Sequence, residues 1–238
     1  MNAADFVKYE TARSGAYKGL AGCYHMPNDG LHNDLVELEH HLDTLGSEAA
    51  THITQMRSEL LSRGNKIGDL CVDFAKLFVG PYALPAPPYG SVYLDGERKV
   101  MGDSTIDVCM RYAEVGLELA DHFKEVPDHI AAELEFMYFL ILKEVEAISH
   151  SDFEQALDFL KKQEEFFLSH LGVWVPQFAD NVEKAAETEF YKSLSKATRL
   201  FIKRDVEENF VASTGRIHDS LTSAIRHRGP EAAGSVIQ

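Results

Sequence analysis

The sequence predicts an all-α fold, and three observations carry that reading. Large apolar residues recur at steps of three and four along most of the chain, the mark of helices with one buried face. No sustained run alternates apolar and polar residues, so no strand is predicted. With 238 residues, 45% of them hydrophobic, the chain has enough apolar side chain for a substantial core. We expect one globular helical domain over residues 1–211 and a flexible tail over 212–238.

The elements follow in order. Ile67, Leu70, Cys71, Phe74, Leu77 and Phe78 form one apolar helical face. Gly80 to Gly102 then carries Pro81, Pro85, Pro87 and Pro88. Proline lacks an amide donor and disfavours helix at the residue before it, so this stretch is a long loop. Its tyrosines, Tyr82, Tyr89 and Tyr93, argue that it packs rather than floats. Asp103-Ser104-Thr105 offers an N-cap for a helix that turns Val108, Tyr112, Val115 and Leu119 to one side. Lys124 to His129 reads as a short hinge between two helical halves. Asp128 is placed to cap the next helix, in which Leu134, Met137, Tyr138, Ile141 and Val145 recur at helical steps. Ser151-Asp152 starts another, with Phe153, Ala156, Leu157 and Leu160 inward, and a further amphipathic run holds Phe190, Leu194, Ala197 and Phe201. From about Ala212 large apolar residues thin out, and at most one short helix is expected around Ile217 to Ile225.

Composition excludes several classes of function. The formal net charge of −15 disfavours nucleic acid as the main partner, since a phosphate backbone would be repelled. It suits a basic partner, and it also serves plain solubility. The three cysteines, Cys23, Cys71 and Cys109, are odd in number and far apart, which rules out a disulfide scaffold or a cysteine-only metal centre within one chain. Met1 to Tyr9 has no apolar run of the secretory type, and no apolar stretch approaches the roughly 20 residues that span a bilayer. The expected location is the cytoplasm.

Among polar residues the sharpest pair is Asp128-His129. At a helix start, Asp128 would cap free amides and His129 would project into a groove. Peptide recognition and an oriented catalytic imidazole are the functional readings; a cap beside a structural histidine is the plain one. Glu39-His40-His41, with His25 and His32 nearby, invites a metal reading. Adjacent residues on a helix point about 100° apart, so His40 and His41 are poorly set to chelate together, and no metal is expected. His170 and Trp174, four apart, read as core contacts. There is no phosphate-binding glycine loop, no Gly-x-Ser-x-Gly elbow and no His-Glu-x-x-His.

Taken together, four ordered segments resemble the TorD/DmsD/NarJ family of molybdoenzyme maturation chaperones. They are Leu77-Phe78-Val79-Gly80-Pro81; Pro87-Pro88-Tyr89-Gly90-Ser91-Val92-Tyr93-Leu94-Asp95 with Met101-Gly102-Asp103-Ser104-Thr105; Glu125-Val126-Pro127-Asp128-His129; and Phe167-Leu168-Ser169-His170-Leu171 followed by Trp174, Val175, Pro176 and Phe178, in which the family ends a helix. The likeness spans roughly Ala50 to Phe178. It implies an all-helical, non-enzymatic cytoplasmic chaperone that binds the twin-arginine leader, the apo catalytic subunit, or both, of a molybdenum oxidoreductase. It would assist cofactor insertion and delay export until maturation is complete. By matching motif, the leader site would comprise Leu77, Phe78, Pro88, Tyr89, Gly102, Asp128 and His129, to which residue chemistry adds Tyr93 and Glu125. Many relatives have tryptophan where Tyr89 and Tyr93 stand; both rings are flat and amphipathic, so the platform is kept while its leader preference shifts. The Pro-Pro-Tyr and Glu-Val-Pro-Asp-His forms point to the branch serving DMSO-reductase-type enzymes. No stably bound cofactor is implied, only transient contact with the client's molybdenum cofactor.

The residue chemistry agrees with this reading. A twin-arginine leader has a basic segment followed by an apolar one, and needs an apolar groove with carboxylates nearby. Leu77, Phe78, Tyr89 and Tyr93 are candidates for the groove, with core packing the alternative for Leu77 and Phe78. Asp128, Glu125 and Asp95 are candidate acceptors for guanidinium. Two rival readings remain open at this point: a hydrolase using His129 as base and Asp128 as its orienter, and a generic helical adaptor. The resemblance leaves monomer and domain-swapped dimer open, with the hinge as the exchange point.

Overall fold

A computed structural model describes residues 3–64, 66–81, 83–96, 100–117 and 126–210. Tyr82, Leu119, the hinge residues Lys124 and Glu125, and the whole tail from Ala212, including the short helix expected there, lie outside the described residues. Within them the chain is helical. The helices are α1 (Ala3–Cys23), α2 (Leu31–Thr44), α3 (Ala49–Ser62), α4 (Gly68–Phe74), α5 (Ser91–Leu94), α6 (Asp103–Glu114), α7 (Ile130–Ser149), α8 (Phe153–Ser169), α9 (Leu171–Ala185) and α10 (Glu189–Asp205). Helix α4 runs on as a π-helical turn, Ala75–Val79, and α10 as another, Val206–Phe210. No strand forms among the described residues; the nearest thing is one antiparallel bridge between Tyr89 and His129.

Helix α7 is the axis of the molecule. Leu134, Met137, Leu140 and Ile141 are fully buried, and its largest interfaces are with α1 and α8. Helix α10 packs on α3 and α9 through Phe190, Leu194, Ala197 and Phe201, the face its spacing predicts. Asp152 caps α8 by accepting the Gln155 amide at 3.1 Å, also as predicted.

Two helix starts differ from the sequence reading. Helix α7 is capped by His129, whose Nδ1 accepts the Ala131 amide at 3.2 Å, and not by Asp128. An N-cap needs extended backbone and an acceptor reaching two or three residues on. His129 has ψ 140° and supplies that acceptor. Helix α6 is not capped from its own Asp103-Ser104-Thr105. The Asp95 carboxylate, eight residues before the helix starts, accepts the Ser104 amide at 3.2 Å and its hydroxyl at 2.9 Å. The segment Phe167 to Phe178, read as a helix ending, does end one, since α8 stops at Ser169; its second half opens α9, with Pro176 carried inside the new helix.

Three ties hold distant helices together. In the first, Arg13 of α1 has no exposed surface. Its Nε and Nη2 donate to the two oxygens of Asp205 at 2.7 and 3.0 Å, and Nη1 to Glu10 and to the Gln163 carbonyl at 2.9 and 2.8 Å. Gln163 in turn donates to Glu144 at 2.7 Å, so one network joins α1, α7, α8 and α10. In the second, Asp73 of α4, almost fully buried, accepts the Thr188 amide and hydroxyl at 2.8 and 2.7 Å, fixing the start of α10. In the third, Nε2 of His170 meets Oδ2 of Asp107 at 2.6 Å, binding α6 to the α8–α9 junction.

Removing the cation from the first tie would strand the Asp205 carboxylate in the core. Arg13→Ala is expected to lose about 3–5 kcal/mol in urea unfolding, far beyond a surface change. A loss below 1 kcal/mol would show that the network is not a main support.

Candidate functional site

The long proline-rich loop does not wander. At its far end Pro88, Tyr89 and Gly90 run antiparallel to Asp128, His129 and Ile130. The Ile130 amide donates to the Pro88 carbonyl and the Gly90 amide to the Asp128 carbonyl, both at 2.8 Å. These two bonds bracket the Tyr89–His129 bridge. The Asp128 side chain adds a third: its Oδ2 accepts the Ser91 amide at 2.7 Å. The carboxylate thus serves as the missing cap for α5, whose own Gly90 has no side chain to offer. Residues about forty apart are locked into one clamp.

His129 sits at the centre of the clamp. Its ring meets that of Tyr89 edge to face, with centroids 5.6 Å apart. Burial, helped by the nearby His25, pushes its pKa down to about 4, so the imidazole is neutral at physiological pH. Because Nδ1 accepts from Ala131, the proton resides on Nε2, which has no protein partner among the described residues.

Beneath the loop lies a second layer. Tyr93 of α5 stacks on Trp174 of α9, centroids 5.5 Å apart, and donates from its hydroxyl to the Pro87 carbonyl at 3.0 Å. The Trp174 indole donates to Glu133 at 2.9 Å. Burial drives the Glu133 carboxyl pKa well above its ordinary value. Gly90 is closely enclosed here: a Cβ would come 3.0 Å from the Glu133 carboxyl and 3.1 Å from the indole nitrogen, and the neighbours would have to give way. Gly102 is required for a similar reason, since a Cβ there would overlap the Asp95 carboxylate that caps α6.

The sequence-derived site residues therefore divide. Pro88, Tyr89, Asp128 and His129 come together in the clamp, and Tyr93 lies one helical turn further on. Of these, Tyr89 and Tyr93 are half-buried, and Pro88, Asp128 and His129 are buried. Leu77 and Phe78 lie in the core, of the two readings the one their burial describes. Phe78 packs against Tyr24, Phe74, Phe178 and Tyr191. Its ring is linked to the site through Phe178, which also meets Tyr93. Gly102 stands at the start of α6, close against the Asp95 carboxylate that caps it. Glu125 lies outside the described residues. Ser91, Glu133 and Trp174 were missed as parts of the site: backbone amides and a buried carboxyl leave no trace in spacing.

The Asp128-His129 dyad of the hydrolase reading is not assembled. The carboxylate bonds Ser91, and the imidazole nitrogen that would accept its help is spent on Ala131. A general base needs an orienting partner and a free acceptor nitrogen. The Asp–His pair that does form, Asp107 with His170, is structural: His170 is 2% exposed and stacked on Phe166. No group of three or more potential metal ligands gathers among the described residues.

The depressed pKa of His129 has a definite sign. Between pH 6.5 and about 4 the unfolded imidazole takes a proton that the folded one refuses. Its stabilisation is present in full above pH 6.5 and lost as pH falls towards 4. His129→Asn keeps a capping acceptor but does not titrate. We expect the stability difference between wild type and this variant to shift by about 2–3 kcal/mol across that window in pH-dependent urea unfolding. A difference independent of pH would place the imidazole in water.

Comparison with known proteins follows the same residues. The family model described as nitrate reductase delta subunit matches residues 42–180. The chaperone protein TorD of Vibrio parahaemolyticus is 28% identical over 176 residues, covering 71% of this chain and 80% of that one. The Tat proofreading chaperone DmsD of Salmonella typhi is 36% identical over 125 residues, 52% of this chain and 54% of that one. TorD of Vibrio cholerae is 27% identical over 154 residues, 65% and 68% of the two chains. The match to DmsD spans only about half that relative's length. No helix among the described residues is long and apolar enough to cross a membrane. On the match to more than half of its length, this chain belongs to the nitrate reductase delta subunit family, the TorD/DmsD/NarJ group of redox enzyme maturation proteins.

Proposed function

We propose that this protein is a maturation chaperone for a molybdenum oxidoreductase and that it holds the client's twin-arginine leader at the Tyr89–His129 clamp. The observation that carries the reading is the convergence of Pro88, Tyr89, Asp128 and His129, drawn from separate parts of the family pattern, into one hydrogen-bonded unit. The relatives named TorD and DmsD are chaperones rather than enzymes. Binding and release suffice for such a role, and no bond chemistry is asked of the site.

The clamp gives each residue a task. Tyr89 and Tyr93 offer half-exposed rings to apolar or cationic groups. His129 offers a neutral Nε2–H donor for a backbone carbonyl. Asp128 acts as a positioning residue, since Oδ2 of its buried carboxylate is committed to Ser91. An acidic surface, net charge −15, speeds encounter with a cationic leader. The client's apo catalytic subunit is the second proposed ligand, retention until the cofactor is inserted the proposed outcome, and the cytoplasm the proposed place. A generic adaptor has no need of a fixed loop; the three bonds between the loop and Asp128–Ile130 favour the chaperone.

Calorimetric titration with a synthetic twin-arginine leader tests this. Micromolar or tighter binding is expected, weakened about tenfold or more by Tyr89→Ala and by an Arg-to-Gln leader. Indifference to both changes would turn the reading towards an adaptor.

A further inference from the structure

The carboxylates that the sequence offers to an arginine are already engaged where the structure describes them. Asp128 is 1% exposed, and its Oδ2 is held by the Ser91 amide. Asp95 accepts from the amide and hydroxyl of Ser104. Glu125 lies outside the described residues. Helix α7, which starts in the clamp, carries four more carboxyls. Glu133 is buried and bonded to Trp174, and Glu144 belongs to the Arg13 network. Glu146 pairs with Lys143, about three turns beyond the clamp end of the helix. Glu135 differs from all of these. Its side chain is 52% exposed, and it stands in the second turn of α7.

Glu135 lies beside the clamp. Its Oε1 is 3.6 Å from Nε2 of His25, which follows the end of α1 and is itself 46% exposed. His25 is near enough to His129 to help depress its pKa. One rim therefore runs from His129 past His25 to Glu135. At 1.5 Å per residue the cap and Glu135 are about 9 Å apart along the helix, a span that about three residues of extended peptide cover. The resident partner is a weak one. A separation of 3.6 Å is too long for a hydrogen bond, and an imidazole is a cation only when protonated. Lys18 of α1 lies over the Tyr138 ring, one turn further along the same face, with its nitrogen 5.5 Å from the ring centroid. Arg98 and Lys99 lie outside the described residues. We infer that Glu135 is a specificity-determining residue, the carboxylate that receives a guanidinium of the client leader in place of His25. The inference rests on the reading that the leader docks at the clamp, and adds which side chain makes that site prefer arginine. A guanidinium presents paired donors in one plane, matched to both oxygens of a carboxylate, whereas an imidazole offers one N–H to one oxygen. The exchange therefore favours the incoming group.

The test is a double-mutant cycle, read by calorimetry on the full-length protein at low salt. Wild type, Glu135→Gln and a Glu146→Gln control are each titrated with two synthetic leaders, one intact and one with its two arginines replaced by glutamine. Glu135 and Glu146 are both exposed, so melting followed by circular dichroism is expected to be unchanged. Glu135→Gln is expected to bind the intact leader about fivefold or more weakly, and the control to bind it normally. The glutamine leader is expected to bind wild type and Glu135→Gln alike, since the variant removes only what an arginine would meet. Glu135→Asp, which keeps the charge, is expected to recover part of the affinity, and added salt to narrow the gap between wild type and Glu135→Gln. Equal affinity of wild type and Glu135→Gln for the intact leader, with Tyr89→Ala still weakening it, would overturn the inference and leave the clamp reading standing. An equal loss with both leaders would also overturn it, since the carboxylate would then not be reading the arginines. Failure of the wild type to bind either leader would overturn both readings.

Discussion

A guanidinium cut off from water must find a partner for every N–H it carries, or its burial costs several kcal/mol. Arg13 meets that demand with groups from helices far apart in sequence, and the four-helix junction follows from it. The charge balance is close. Asp205 and Glu10 pair with the arginine directly, while burial pushes the carboxyls of Glu10 and Glu144 upward. Tyr17 and Asn209 complete the shell around Asp205 at 2.7 and 2.8 Å. Since Glu144 belongs to α7, the network also fixes the rotation of the central helix. The first turn of that helix is where the clamp is built.

Seen from α7, the clamp is an extension of the helix start. His129 is cap, ring platform and donor at once, and Asp128 reaches across to start α5. The loop between α4 and α6 is therefore shaped less by its prolines than by the partners they leave exposed. The Pro88 carbonyl has an accessible lone pair that Ile130 uses. The π-helical turn at Ala75–Val79 sets Leu77 and Phe78 inward, so the aromatic cluster around Phe78 supports the loop from below.

How much of this was legible depends on whether a feature is local. Helix faces were: Leu134, Met137 and Ile141, or Phe190, Leu194 and Phe201, are buried where their spacing says. The all-α class and the family were legible for the same reason, through short segments in fixed order. Helix caps were read less well. Asp outranks His as a cap, so Asp128 was the natural choice, yet backbone geometry at position 129 decided otherwise. Asp95 caps a helix it does not belong to, Asp73 holds the Thr188 that caps another, and no rule of spacing finds such pairs. Arg13, in a stretch without an obvious apolar run, gave no hint that it would be wholly buried. For Leu77 and Phe78, core and groove require the same residue types, so only burial separates them.

One feature of the second layer has an optical consequence. The chain has a single tryptophan, Trp174, so its emission comes from one place. That indole is stacked beneath Tyr93, bonded to a buried carboxyl, and so close to Gly90 that a Cβ there would crowd it. Any occupant that lifts or presses the loop changes the stacking, the polarity and the hydrogen bond of this one fluorophore together. The protein thus carries its own unlabelled reporter directly under the surface where a ligand would rest, and the buried Glu133 beside it tunes the signal.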